Sequence, residues 1–229
     1  MKYRFSLCIS ALCFLTAFLI ALTARQQGSE ALATRIAPEI LRFHILANSD
    51  SSADQQLKME VKGLVLDYVN ENLGGSATKD ETVSWLLEHR SDIESLAAGY
   101  IRSQGQDYPV ALSLTRDYFP TKAYGDMVFP CGTYDAARIT IGSGQGHNWW
   151  CVLYPPLCYV DSMNAVVPES SKQTLRTLIP DDDYQALLPE NERSGRALPA
   201  PSDPAHAGNE KQKPQIRVKF RFLELLSAK

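Results

Sequence analysis

An apolar run near the N-terminus constrains this chain more than any other feature. Residues 1–4 include two basic side chains, residues 5–22 are almost wholly apolar or small, and polar sequence resumes at Arg25. A basic start, an apolar stretch and a polar exit are typical of an export signal. A run of about 18 apolar residues is also just long enough to cross a bilayer. We therefore predict that residues 1–24 are an export signal or an N-terminal membrane anchor.

Two positions suit cleavage of such a signal. One follows Ala24, although Leu22, three residues back, is larger than the small residue usual at a cleavage site. The other follows Ala33, which lies rather far from the apolar run. An uncleaved anchor remains the alternative to both. In each case residues 25–37 are expected to form a linker to the domain that follows.

The charge of the chain argues against nucleic-acid partners. The formal net charge is −3, and because residues 1–24 carry two basic side chains and no acid, the remainder carries −5. An acidic body offers no electrostatic footprint for nucleic acid, and no polybasic patch suggests membrane binding outside the N-terminal segment. With 45% hydrophobic and 21% charged residues, the composition is that of an ordinary globular domain.

The first elements of the domain are a strand and two helical regions. Residues 40–46 are rich in β-forming side chains and end at a cluster of turn residues, which indicates a strand. Ser52 followed by Gln55 fits a capping box that opens a helix. A second helical region follows Thr78, with a break expected near Arg90.

From Tyr108 onward the apolar period changes from about 3.6 to 2, which indicates strands. Residues 134–141 alternate in this way, and an apolar segment at residues 148–160 surrounds a double proline. The order of a strand, two helices and then several strands predicts an α+β domain over residues 38–188, with a mainly antiparallel sheet.

The C-terminal part is expected to be mixed. Residues 164–188 suit one or two short helices, whereas residues 189–214 are rich in Pro, Glu, Gly and Lys and are predicted to be a disordered linker. Within residues 215–226, residues 216–222 alternate strictly between apolar and basic side chains. Since a lone strand does not persist in water, we predict that this C-terminal strand returns to the sheet and closes it.

Three cysteines follow the N-terminal segment, namely Cys131, Cys151 and Cys158. Disulfides persist outside the cytoplasm, so one pair is plausible and the third thiol is left over. Cys151 and Cys158 flank two prolines that break regular structure, and a turn there would bring them together. Whether they form a bridge is left open at this point.

The same cysteine also suggests a catalytic alternative. Cys151, with His147 or His44 as base and Asp161 as orienting acid, offers the residue types of a secreted cysteine hydrolase acting on cell wall. No helix N-terminus is evident at Cys151 to lower the pKa of its thiol. A disulfide to Cys158 would also remove the nucleophile, so structural cysteines are the favoured interpretation.

Two adjacent tryptophans suggest a binding surface. In a strand, Trp149 and Trp150 point to opposite faces of the sheet. One of them then belongs to the core, and the other is available as an interface anchor or as a platform for stacking sugars. A glycan-binding module is therefore a further alternative, although burial of both side chains explains the pair equally well.

Several other motifs do not support a ligand site. The glycine-rich residues 142–146 match neither the dinucleotide nor the P-loop spacing, so a hairpin or mobile loop is the better interpretation. Residues 48–54 lack the glycine and the distal glutamate of a calcium loop and are explained by helix capping. The four histidines show no zinc spacing. We predict no metal and no cofactor.

Three segments carry a resemblance to a known family. They are residues 42–55, which begin Arg-Phe-His-Ile-Leu-Ala-Asn-Ser-Asp, residues 119–125, Phe-Pro-Thr-Lys-Ala-Tyr-Gly, and residues 148–161, Asn-Trp-Trp-Cys through Cys-Tyr-Val-Asp. In this order they resemble the stage II sporulation protein R family, over roughly residues 38–165 together with residues 215–226. The chain departs from the family pattern at His147 and Cys131, and residues 189–214 look like an insertion.

The resemblance implies an intercellular signal with no catalysis of its own. Members of the family are exported from the forespore into the space between the forespore and mother-cell membranes. They trigger a membrane-embedded aspartic protease, which processes the precursor of the mother-cell sigma factor E. The segments 119–125 and 142–161 place unusual residues outside regular cores, so we expect them to contact the protease. The candidate partner-binding residues are Phe119, Lys122, Tyr124, His147, Asn148, Trp149, Trp150 and Asp161.

Overall fold

A computed structural model describes residues 2–73, 77–158 and 167–189 of the chain. The order of the elements in this part confirms the predicted α+β class, with a first strand followed by helices and then by further strands. The elements are α1 Lys2–Ile36, β1 Leu41–Leu46, α2 Ser52–Leu73, α3 Lys79–Glu88, α4 Arg90–Ser103, β2 Val110–Phe119, β3 Lys122–Tyr124, β4 Met127–Phe129, β5 Gly132–Ile141, β6 Asn148–Tyr154, α5 Glu169–Leu178 and α6 Asp181–Leu187.

Four of the strands form a mixed sheet in the order β2-β5-β1-β6. β2 and β6 pair antiparallel with their neighbours, as predicted, but the central strands β1 and β5 run parallel. Parallel neighbours need a long connection, and the chain between them contains three helices and three strands. The predicted C-terminal strand at residues 215–226 lies outside the described residues, as does nearly all of the predicted linker at residues 189–214.

The sheet has one face directed at helices and one face that carries polar side chains. Along β1, Phe43 points to the helical face, where its ring packs edge-on against Trp149, and Lys62 of α2 lies over that tryptophan. The alternate residues Arg42 and His44 point to the other face. Both are nonetheless almost fully buried. A cation and an imidazole are unusual side chains for a buried central strand.

Helix α1 continues well beyond the apolar run. Residues 25–37, predicted to be a linker, are helical as far as Ile36 and then form a short 3-10 turn. The reason is packing, because Ala33 and Ile36 are buried and a Cβ atom added to Gly132 of β5 would lie 2.3 Å from that of Ala33. Arg35 also pairs with Asp183 of α6 at 2.7 Å. Cleavage after Ala33 would therefore remove part of the folded core.

The starts of α2 and α3 are fixed by side-chain caps. At α2 the hydroxyl of Ser51, one residue before the predicted cap, accepts a hydrogen bond from the backbone N–H of Asp54 at 3.1 Å. At α3 the side chain of Thr78 and that of Glu81 cap each other's backbone N–H groups in a complete capping box. α4 begins at Arg90, which confirms the predicted break.

Candidate functional site

Two loops meet at one edge of the sheet. β1 and β5 are parallel neighbours, so their carboxyl ends lie side by side, and the loops that follow them, residues 47–51 and residues 142–147, come into contact. We call them the paired loops. The backbone N–H of Ser143 donates to Asn48 Oδ1 at 3.0 Å, that of Gly146 donates to the Ala47 carbonyl at 2.9 Å, and that of His147 donates to Asp50 Oδ1 at 2.6 Å. A hairpin or a mobile loop was expected for the glycine-rich segment. It instead docks on residues 47–51 and joins β5 to β6, which lie on either side of β1.

The glycines of this segment are explained by close approach. Gly142 has a φ of +58°, and a Cβ atom there would lie 2.3 Å from Asn48 Oδ1. At Gly146 a Cβ atom would lie 2.2 Å from the carbonyl oxygen of Ser49. The backbone amides of residues 142–147 that could bind a phosphate instead hold the loop of residues 47–51. The structure therefore agrees with the sequence spacing that this segment is not a phosphate-binding loop.

A row of polar side chains crosses the sheet next to the paired loops. Asp117 of β2, Arg138 of β5, His44 of β1 and Asn148 of β6 lie on the same face, one from each strand. His44 Nε2 lies 2.9 Å from Asp117 Oδ2, Asn148 Nδ2 lies 2.8 Å from His44 Nδ1, and Arg138 Nη1 lies 3.5 Å from the same oxygen of Asp117. We call these four residues the polar row. It ties all four strands together through side chains.

Burial favours the neutral form of His44 within the polar row. Burial lowers the pKa of His44 and outweighs the attraction of Asp117, which acts in the opposite direction. Since the Asn148 amide donates to Nδ1 in the assigned network, the ring proton lies on Nε2 and is donated to the carboxylate. Partial burial alone would raise the pKa of Asp117, but the hydrogen bond from Thr115 and the nearby charges lower it. The contact is therefore a hydrogen bond between an imidazole and a carboxylate, with no free ring nitrogen for catalysis.

We expect the stability of the domain to fall as the pH drops below about 6.5, the usual pKa of an unfolded histidine. The lowered pKa of folded His44 means that the unfolded chain binds more protons in this range, so unfolding is favoured as pH falls. Urea denaturation between pH 5 and pH 7.5 measures the slope. His44→Gln, which does not titrate, should give a shallower slope. Equal slopes for both proteins would contradict the assignment.

The residues of the hydrolase alternative are not brought together. A disulfide joins Cys151 to Cys158, with their Cα atoms 5.2 Å apart. Cys151 is buried and pairs with Phe43, so it points to the face opposite His44. His147 lies on an exposed loop beside Asp50, and Asp161 is outside the described residues. In the described part of the chain, the structure assembles no cysteine–histidine pair.

The predicted partner-binding residues divide into buried and accessible groups. Phe119 and Tyr124 are 0% and 7% exposed, so they belong to the core rather than to a contact surface. Trp149 is half-buried on the helical face between Phe43 and Lys62. These three side chains contribute to packing within the domain, beneath the accessible surface.

The accessible candidates lie on the polar face and on its rim. Lys122 is exposed on β3, the His147 side chain is 78% exposed on the paired loops, and Asn148 belongs to the polar row. Trp150 is half-buried and faces away from Trp149, as the alternation predicts. The accessible surface therefore extends from the paired loops along β6. Within residues 2–73, 77–158 and 167–189, no cluster of side chains is suited to a metal ion.

The most unusual residue on this face was not singled out from the sequence. Arg42 is fully buried, and none of its three side-chain nitrogens has a hydrogen-bond partner among the described residues. Its guanidinium lies among four rings, which we call the aromatic box. The ring centroids lie 4.6 Å away for Phe119, 5.1 Å for Tyr134, 5.8 Å for Phe129 and 5.9 Å for Tyr124. The only sequence signal is an arginine at a core position of a buried strand.

Comparison with known proteins gives a consistent result. The family model described as stage II sporulation protein R matches residues 37–164, which include β1, the paired loops, the polar row and the aromatic box. The curated stage II sporulation protein R of Bacillus subtilis (strain 168) is 31% identical to this chain over 230 residues, covering 99% of this chain and 98% of that protein. No solved structure gives a significant match.

Proposed function

Since the chain belongs to the stage II sporulation protein R family, we propose that it is an exported sporulation signal that activates a membrane-embedded aspartic protease. The activated protease removes the pro-sequence from the precursor of the mother-cell sigma factor E. The observation that carries this proposal is the match over nearly the whole chain.

The geometry supports a protein that is bound rather than one that catalyses. Most polar contacts of the paired loops and the polar row join these residues to one another, so their arrangement is formed before any partner binds. An activator needs only to bind the active state of its partner better than the inactive state, and a preformed surface meets that need without a reactive group. The buried disulfide of Cys151 further favours this role over that of a cysteine hydrolase.

The proposed location is the space between the forespore and mother-cell membranes. Helix α1 supports it because its exposed apolar part is long enough to cross a membrane, which suits either a signal sequence or an anchor. The disulfide is also the kind of bond that persists outside the cytoplasm.

Co-expression in a host that does not sporulate tests the proposed function. We expect the sigma factor precursor to be shortened when the protease and this chain are both present, and to remain intact when either is omitted. Immunoblotting measures the two forms. A variant lacking residues 2–24 is the control, since it stays in the cytoplasm and should leave the precursor intact. Identical processing with and without the exported chain would refute the proposal.

A further inference from the structure

The burial of the Arg42 guanidinium is the feature of this fold that packing explains least. A guanidinium loses its hydration on burial, and this loss is normally offset by a carboxylate or by several hydrogen-bond acceptors. Here the described residues supply only the faces of the aromatic box, which attract the cation without accepting its N–H groups. The five donors of the side chain are therefore unused while it is covered.

The cover over Arg42 is a small separate element. β3 and β4 pair only with each other and form a two-stranded sheet of their own, three residues to a strand. Such a hairpin has little stability by itself and depends on what it packs against. Tyr124 and Phe129, two walls of the aromatic box, belong to it, and Pro120 and Pro130 bracket it in the sequence.

Polar contacts of Asp126, which we call the latch, hold the tip of this hairpin. Asp126 lies in the turn between β3 and β4, pairs with the amine of Lys172 on α5 and accepts the backbone N–H of Val167 at 2.9 Å. The rest of the hairpin is held mainly by apolar packing, because Tyr124, Met127 and Phe129 are buried in the core. Since β3 and β4 pair only with each other, release of the latch together with withdrawal of these side chains would move the hairpin without breaking the main sheet.

We propose that Arg42 is a covered recognition site for a carboxylate of an acidic partner segment, and that the β3–β4 hairpin moves aside to admit it. A guanidinium binds a carboxylate through two parallel hydrogen bonds, and such a bond is strongest where water is excluded. The acidic segment takes the place of the hairpin rings beside Arg42. The identity of the partner as the protease rests on the proposed function, whereas the chemistry of the site does not.

The stability of an Arg42 variant distinguishes a role of Arg42 in recognition from a role in supporting the fold. If Arg42 serves recognition, Arg42→Met removes an uncompensated buried charge, keeps a side chain of similar length and leaves the fold at least as stable as before. If Arg42 serves only to support the fold, the same change loses the four ring contacts and lowers the midpoint of urea denaturation. Arg102→Met removes an exposed guanidinium from α4, outside the hairpin and the paired loops, and is the matched control.

Binding is tested with the full-length chain in detergent micelles and with an end-blocked hexaglutamate peptide as probe. We expect measurable binding, at least tenfold weaker binding to Arg42→Met, unchanged binding to Arg102→Met, and no binding of hexaglutamine. Amides of residues 122–129 should exchange hydrogen faster when hexaglutamate is present. The variant Asp126→Asn, which weakens the latch, should bind hexaglutamate more tightly and exchange faster without peptide.

The proposal is overturned if Arg42→Met binds hexaglutamate as well as the parent or unfolds more easily than it. It is equally overturned if the hairpin amides exchange at the same rate with and without peptide. Because neither measurement involves the protease, failure of precursor processing would count against the proposed function and leave this result standing.

Discussion

Gly146→Ala is expected to lower the free energy of unfolding by about 2–4 kcal/mol. The added Cβ atom would lie 2.2 Å from the backbone carbonyl oxygen of Ser49, which cannot rotate away as a side chain would. Overpacking of this kind typically costs about 1–3 kcal/mol. Displacement of the loop would also lengthen the hydrogen bond from Gly146 N–H to the Ala47 carbonyl, at a further cost of about 1 kcal/mol. Urea denaturation of both proteins measures the difference.

Two other glycines provide the matched control. Gly63 and Gly99 lie within α2 and α4, and a Cβ atom added to either meets nothing within 4 Å. Alanine at these positions should raise the free energy of unfolding by about 0.5–1 kcal/mol, because alanine is the better helix former. If Gly146→Ala behaves like Gly63→Ala, the paired loops do not dock as described.

Loss of the disulfide is expected to lower the free energy of unfolding by about 2–3 kcal/mol. The bridge joins residues seven positions apart, and closing so short a loop gives roughly that stabilisation in the chain-entropy model. Denaturation with and without a reducing agent measures it. The double variant Cys151→Ala/Cys158→Ala should match the reduced parent and should not respond to the reductant. A parent that is equally stable when reduced would contradict the expectation.

The same residues separate signalling from hydrolysis. Cys151→Ser removes any nucleophile at this position, so a cysteine hydrolase would lose its activity completely. An activator should instead keep most of its processing activity at low temperature, where the remaining stability is sufficient. Precursor processing and lysis of purified cell wall are therefore measured on the same variant.

Periodicity predicts most helices and strands between residues 38 and 158, but not the helical residues 25–36, the β3–β4 hairpin or how the strands pair. The apolar spacing after Ser52 and the alternation after Tyr108 indicate helix and strand because they reflect one buried face. The parallel pairing of β1 with β5 is not visible in this spacing. β1 is buried on both faces, and the alternation of β5 indicates a buried face without indicating which strand lies beside it. The contact between Asn48 and Ser143 joins loops 95 residues apart, and local sequence carries no sign of it.

The candidate site was predicted in part for the same reason. Strand alternation correctly placed Trp149 and Trp150 on opposite faces. Phe119 and Tyr124 were expected at the surface because they lie in a proline- and glycine-containing segment, yet the hairpin folds onto Arg42 and buries both. The attraction between the Arg42 guanidinium and aromatic rings distant in sequence is a tertiary contact, which local sequence patterns do not reveal. The sequence shows only that Arg42 occupies a position where an apolar residue is usual.

Helix α1 passes without a break from its exposed apolar residues into the core at Ala33 and Ile36. The roughly twelve residues from 25 to 36 rise about 18 Å at 1.5 Å per residue. While α1 stays whole in a bilayer, it acts as a spacer that fixes the height of the domain above the lipid surface. The domain is then confined to diffusion in two dimensions and presents its surfaces at that height.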